Sequence, residues 1–144
     1  MADVKVDQIL NVPLAEAWAV LADFGGFLDW AGGEGATAEI SGDGIGMVRD
    51  MNIPGMGNIA EKLTILDPAT HTLGYELVKG TPVGMGSYNC KVQLTAAGEG
   101  QCQINWLGQF APAEGMAEAD VAAGLKGSYD GMSGALEAYV QAKS

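Results

Sequence analysis

The chain has 144 residues, of which 18 are acidic and 7 basic, for a formal net charge of −11. Such a charge repels phosphate backbones and anionic membrane surfaces, so a nucleic-acid-binding role is set aside. With 48% hydrophobic and 17% charged residues, the composition is that of a folded globule, expected as one domain over residues 1–144, able to bury a core without disulfides or metal.

Met1 to Leu10 alternates polar and apolar residues and has neither the basic region nor the apolar core of a secretory leader. No run approaches the ~18 apolar residues of a membrane span. The expectation is a cytoplasmic protein with no membrane insertion. Val4, Val6, Gln8 and Leu10 share one face of a first strand, with Asp3, Lys5 and Asp7 on the other. Asn11-Val12-Pro13 then opens a helix, with Asn11 as the expected cap and Pro13 in the first turn. Leu14, Ala17, Trp18 and Leu21 form its apolar stripe. Asp23-Phe24-Gly25-Gly26 ends it, and Phe27, Leu28 and Trp30 suggest a second short helical turn before the loop Ala31-Gly32-Gly33-Glu34-Gly35.

From there to Pro112 the pattern predicts six strands: Ala36–Ser41, Ile45–Ile53, Asn58–Leu66, Thr72–Lys79, Ser87–Thr95 and Gln101–Phe110. Short turns such as Gly42-Asp43-Gly44, Pro54-Gly55-Met56-Gly57, Asp67-Pro68 and Ala97-Gly98-Glu99-Gly100 separate them, which makes an antiparallel meander. His71, the single histidine, falls in Pro68-Ala69-Thr70-His71, a turn expected to be solvated. If residues 94 and 102 pair across the last hairpin, Cys90 lies opposite Trp106 and no disulfide with Cys102 is possible. There is no metal-ligand cluster, P-loop or nucleophile elbow, so no metal and no cofactor is expected. Two loops, Ile53–Asn58 and Gly80–Gly86, each set a methionine between glycines beside a proline. They read as lids over a cavity or as ordinary hairpin turns.

Ala117 to Lys143 is the long uninterrupted helical pattern. Val121, Leu125, Tyr129, Met132, Leu136, Tyr139 and Val140 recur at three- and four-residue steps, while Lys126, Asp130, Ser133 and Glu137 should face water. On the flank between them stand Gly124, Gly127, Gly131 and Gly134. An interior glycine costs a helix roughly 0.8–1 kcal/mol relative to alanine, so four imply either the close approach of another backbone or open space beside the helix. A twisted sheet bending around one helix tends to leave a gap, which predicts an internal apolar cavity.

Period-two bookkeeping gives the sheet's inner face. Its members are Ile45, Met47, Arg49 and Met51; Ile59, Glu61, Leu63 and Ile65; Leu73, Tyr75 and Leu77; Tyr88, Cys90, Val92 and Leu94; and Ile104, Trp106, Gly108 and Phe110. Four polar or amphipathic residues intrude: Arg49, Glu61, Tyr75 and Tyr88. A buried unpaired charge is costly, so Arg49 and Glu61 either form an internal ion pair that fixes register or anchor a polar ligand, unless a bulge turns one outward. In the ligand reading Arg49 binds an oxyanion or carbonyl, Glu61 moves a proton, and the phenols donate hydrogen bonds. Arg49, Glu61 and Tyr75 are the catalytic candidates. Trp30, Met47, Met51, Tyr88, Trp106, Phe110, Tyr129 and Met132 are the candidate ligand contacts, with Trp30 and Trp106 readable either as core or as ligand platforms.

Several segments together resemble bacterial polyketide cyclase/dehydratase-like proteins of the START-like, helix-grip (SRPBCC) superfamily. They are Pro13 with Ala15–Gly26, Trp30, Gly44–Arg49, Glu61-Lys62-Leu63, Tyr75-Glu76-Leu77, Trp106, Phe110-Ala111-Pro112 and the closing helix. Where the family often has a proline after the tryptophan, this chain has Ala31-Gly32-Gly33. The resemblance implies an α+β helix-grip fold: a seven-stranded antiparallel sheet wrapped around a long C-terminal helix, in the order β-α-α-β6-α. It also implies that the arginine, glutamate and tyrosine positions line a cavity, and that the two glycine-rich loops stand where related receptors have gate and latch loops. Such proteins include aromatic cyclases, dehydratases, lyases, hormone receptors and lipid carriers. The expected function is binding of an aromatic or polyketide-like small molecule with cofactor-free acid–base chemistry upon it. A non-catalytic carrier and an interaction module are the alternatives, and the expected state is a monomer or homodimer.

Overall fold

The computed structural model describes residues 1–143. The chain runs β1 (Ala2–Leu10), α1 (Leu14–Leu21), a 3-10 turn at Phe24–Gly26, α2 (Phe27–Ala31), β2 (Thr37–Ser41), β3 (Val48–Ile53), β4 (Gly57–Asp67), β5 (Thr72–Lys79), β6 (Met85–Gly98), β7 (Gln101–Pro112) and α3 (Glu118–Ala142). The strands form one antiparallel sheet of seven in the order β1-β7-β6-β5-β4-β3-β2. This is the expected helix-grip arrangement: β2 to β7 follow one another as hairpins, while β1 pairs with β7 and leads through α1 and α2 to β2 at the far edge.

The period-two reading holds best on the long central hairpin. Tyr88, Cys90, Val92 and Leu94 of β6 and Cys102, Ile104, Trp106, Gly108 and Phe110 of β7 are all buried, and the residues alternating with them are not. Helix α3 has 25 residues, about 38 Å at 1.5 Å per residue, and buries Val121, Leu125, Tyr129, Leu136 and Val140. Glu118 and Asp120 in its first turn complement the helix dipole. It packs chiefly over β1 and β7. Gln8 Nε2 donates to Asp130 Oδ1 at 2.8 Å and the Asn11 amide to Glu137 Oε2 at 2.7 Å, which ties the helix to that edge of the sheet. The β3–β5 half of the sheet is therefore left standing off from the helix.

Several expectations are corrected. Ile45 is not on the inner face: Gly42, Gly44 and Gly46 all take positive φ, the turn extends through them, and Ile45 is 59% exposed. Ile65 is turned outward by a register shift between Leu63 and Ile65, and its side chain lies over Gly74, where any Cβ would collide with it. Ser133 is buried, because the Trp106 indole Nε1 donates to its Oγ at 2.9 Å and that Oγ donates to the Tyr129 carbonyl at 2.7 Å. Asn11 does not cap α1; Pro13 holds the cap position, while the Asn11 side chain accepts from Gln101 Nε2 at 2.8 Å. His71 is half-buried with φ 52° and stands edge-on to Trp18, 5.5 Å between ring centres. Cys90 pairs with Gly108, not Trp106, because the hairpin bulges between Ala96 and Gly98; both cysteines are free, as expected, and both are buried.

Candidate functional site

The β3–β4 hairpin turns tightly at residues 54–56, so its register brings Arg49 opposite Glu61. Both are buried, at 4% and 7% exposure. Arg49 Nε and Nη2 donate to the same carboxylate oxygen, Glu61 Oε1, at 3.0 and 2.8 Å, and Nη1 donates to the Phe24 carbonyl at 3.3 Å. The guanidinium carbon lies 3.9 Å from the centre of the Phe24 ring, 4.1 Å from Phe27 and 4.9 Å from Tyr75. An arginine so placed is satisfied by charge, hydrogen bonds and aromatic faces together. Glu61 is not. Its Oε2 takes no hydrogen bond, and since no buried side-chain oxygen among the described residues lacks a partner, that oxygen stays accessible.

It opens onto a pocket of about 270 Å³ between the sheet and α3. Met51, Ile59, Glu61, Tyr75 and Tyr88 supply the sheet wall. Leu125, Ser128, Gly131, Met132 and Ala135 supply the helix wall, and Phe27 and Ala31 of α2 close one end. Both glycine-rich loops contribute, through Ile53 and Met56 on one side and Pro82 and Val83 on the other, with Met85 following. Of the flank glycines only Gly131 lines this pocket. Gly127, Gly131 and Gly134 have no neighbour within 4 Å of where a Cβ would stand, and only Gly124 meets Val83, at 3.4 Å.

Behind this wall three phenols form a chain. Tyr75 and Tyr88 hydroxyls are 3.1 Å apart, and Tyr88 and Tyr129 hydroxyls 2.6 Å. Tyr129 is wholly buried and stacks on Trp106 at 4.7 Å and 12° between planes. The backbone at Gly108 passes directly under its hydroxyl, leaving no room for a side chain there. Cys90, also buried, is the cross-strand neighbour of Tyr75 on one side and of Gly108 on the other. Burial pushes the phenols of Tyr75, Tyr88 and Tyr129 well above the ordinary tyrosine range, so they remain protonated donors.

Burial likewise pushes the Cys90 thiol up from 9.0 to about 11. A thiol that keeps its proton in the folded state and loses it in the unfolded state stabilises the fold below pH 9.0, and that contribution drains away as the pH rises to about 11. A shift of this size is worth on the order of 2 kcal/mol. Thermal melts between those two pH values should therefore show a steadily falling Tm, and a Tm flat across that window would mean that water reaches Cys90.

Among the expected site residues, Glu61, Tyr75, Met51, Tyr88 and Met132 meet at the pocket. Arg49, Trp30 and Trp106 do not line it: they surround a void of about 10 Å³ deeper in the core, room for no more than one water. Phe110 is fully buried, Tyr129 sits behind Tyr88, and Met47 packs at the Gly25 turn. Sequence reasoning missed Ser128, which the periodicity hid on the glycine flank. A larger groove of about 430 Å³ lies outside, between α1, α2 and the end of α3, but its walls carry Glu16, Asp23, Asp29 and Lys143 and none of the sheet's inward residues. Among the described residues no group of three or more His, Cys, Asp or Glu is placed to hold a metal ion. No helix among them is long and apolar enough to cross a membrane.

A sheet gripping one long helix, with an apolar pocket between them, defines a helix-grip protein. The chain belongs to the family described as polyketide cyclase / dehydrase and lipid transport, whose sequence profile matches residues 1–141. Solved structures share the fold at low identity. The protein XoxI from Bacillus cereus has a TM-score of 0.84 and 19% identity over 98% of this chain and 96% of that one. The ZhuI aromatase/cyclase from Streptomyces sp. R1128 has a TM-score of 0.80 and 16% identity over 97% and 93%. Norcoclaurine synthase from Thalictrum flavum, in complex with dopamine and hydroxybenzaldehyde, has a TM-score of 0.75 and 18% identity over 99% and 88%. A search of curated protein sequences finds no match.

Proposed function

We propose that this protein binds a small aromatic or polyketide-like molecule in the pocket between sheet and helix and acts on it by cofactor-free acid–base chemistry of the cyclase, dehydratase, isomerase or lyase type. The observation that carries this reading is Glu61: one carboxylate oxygen is fixed by Arg49 and the other is left bare in an apolar pocket. A carboxylate held in one orientation and shielded by methionines and aliphatic side chains is placed to take or return a proton. Arg49 then orients the base instead of touching the ligand, and the linked phenols of Tyr75 and Tyr88 donate one hydrogen bond to the ligand's oxygen. A pocket of about 270 Å³ lies just under the ~300–1,000 Å³ of drug-sized sites, which favours a ligand of one or two rings. ZhuI, an aromatase/cyclase, and norcoclaurine synthase, solved with dopamine and hydroxybenzaldehyde, have the same fold.

A carrier without chemistry is the second reading. It is favoured by the buried Arg49–Glu61 ion pair, which would hold register whether or not anything reacts. Native mass spectrometry of protein purified from its host, followed by incubation with the released molecule, separates the two. A transformed ligand supports the enzyme, and a ligand returned unchanged supports the carrier. For the enzyme, Glu61→Gln keeps an oxygen for Arg49 but removes the base, so turnover should fall at least ~100-fold with ligand affinity spared. Unchanged turnover would remove Glu61 from the acid–base role.

A further inference from the structure

Resting on that pocket reading, we propose that Tyr129 is a positioning residue: acting through Tyr88, it aims a phenol proton into the pocket and so selects ligands whose oxygen carries or develops negative charge. The three hydroxyls of Tyr75, Tyr88 and Tyr129 make two hydrogen bonds, at 3.1 and 2.6 Å, yet hold three protons. The third proton has two destinations. It stays rearward on Tyr129, or points forward into the pocket, which Tyr75 and Tyr88 line and Tyr129 does not. An anionic oxygen in the pocket selects the forward arrangement, in which Tyr129 donates to Tyr88. A hydroxyl that already accepts a hydrogen bond is a better donor of its own, so the buried Tyr129 strengthens a contact it never makes.

Its seat is built for that task. The ring is stacked on Trp106, its carbonyl is taken by Ser133, and Gly108 clears the space its hydroxyl occupies. The hydroxyl therefore has one place to be, 2.6 Å from Tyr88, before any ligand arrives. Donors arranged in advance stabilise a developing charge without reorganising. The ligand class that follows is a small aromatic body bearing a phenolate, enolate or polarised carbonyl oxygen.

The test compares para-nitrophenol, whose absorbance reports its own ionisation, with para-nitrotoluene, which has the same shape and no ionisable oxygen. In Tyr129→Phe the Trp106 stack is kept and one hydroxyl is lost. The phenolate should bind roughly three- to tenfold more weakly than to the unaltered protein, and the apparent pKa of the bound probe should rise. Affinity for para-nitrotoluene should not change. Equal weakening of both probes, or an unmoved probe pKa, overturns the relay while leaving the pocket reading intact. Failure of either probe to bind the unaltered protein overturns both. A measurement on the unaltered protein guards against a variant that does not fold: proton NMR should show slowly exchanging hydroxyl signals from the phenol chain that shift with the phenolate and not with para-nitrotoluene. Hydroxyl signals unmoved by the phenolate would overturn the proposal.

Discussion

Arg49→Met should destabilise the protein by about 3–5 kcal/mol, while Arg49→Met combined with Glu61→Leu should lie within about 1 kcal/mol of the original. The asymmetry follows from the geometry. Two of the three guanidinium bonds end on one carboxylate oxygen, and the cation fills the space between Phe24 and Phe27. Removing the arginine strands a carboxylate at 7% exposure among apolar walls, whereas removing both partners leaves a hydrophobic contact between neighbouring strands. Urea denaturation of the two single variants and the double variant gives the coupling directly. A loss under about 1 kcal/mol for Arg49→Met would mean that the pair is far more hydrated than its burial indicates.

Gly108→Val should cost about 3 kcal/mol, although the position is a strand interior where valine is ordinarily welcome. A Cβ at this point meets the Tyr129 hydroxyl and the Leu125 side chain. Neither can retreat: Tyr129 is wholly buried against Trp106, and Leu125 is 2% exposed. In the Tyr129→Phe background the closest obstacle is gone, and the penalty of Gly108→Val should shrink by about 1 kcal/mol or more. Denaturation midpoints of the four proteins measure this, and a penalty identical in both backgrounds would show that the collision lies elsewhere.

The Arg49–Glu61 pairing was legible because two local rules agreed. Alternation put both residues inward, and the short turn at Pro54–Gly57 left little freedom of register. Ile45 and Ile65 were misplaced for the opposite reason: a glycine turn and a bulge each break the alternation, and neither changes composition. Ser133 read as a solvent position because helical periodicity sees only its own helix. The Trp106 indole that buries it comes from β7. Gly108 carried a signal that passed unread, since a glycine inside an apolar inner face between Trp106 and Phe110 marks the approach of something bulky. The pocket's position was not legible. It depends on α3 being tied to the β1 edge by Asp130 and Glu137, polar residues whose partners lie more than 120 positions away in the chain.

The most direct test of the pocket and of the open carboxylate beside it is an NMR titration of labelled methionine methyl groups with para-cresol. The chain has seven methionines. Met51, Met56, Met85 and Met132 line the pocket, whereas Met47 packs at the Gly25 turn and Met1 is 72% exposed. Saturable shifts at those four methyls, with Met1 and Met47 still, are the predicted result. Shifts confined to Met1 and Met47, or no saturable shift at any pocket methyl, would contradict it.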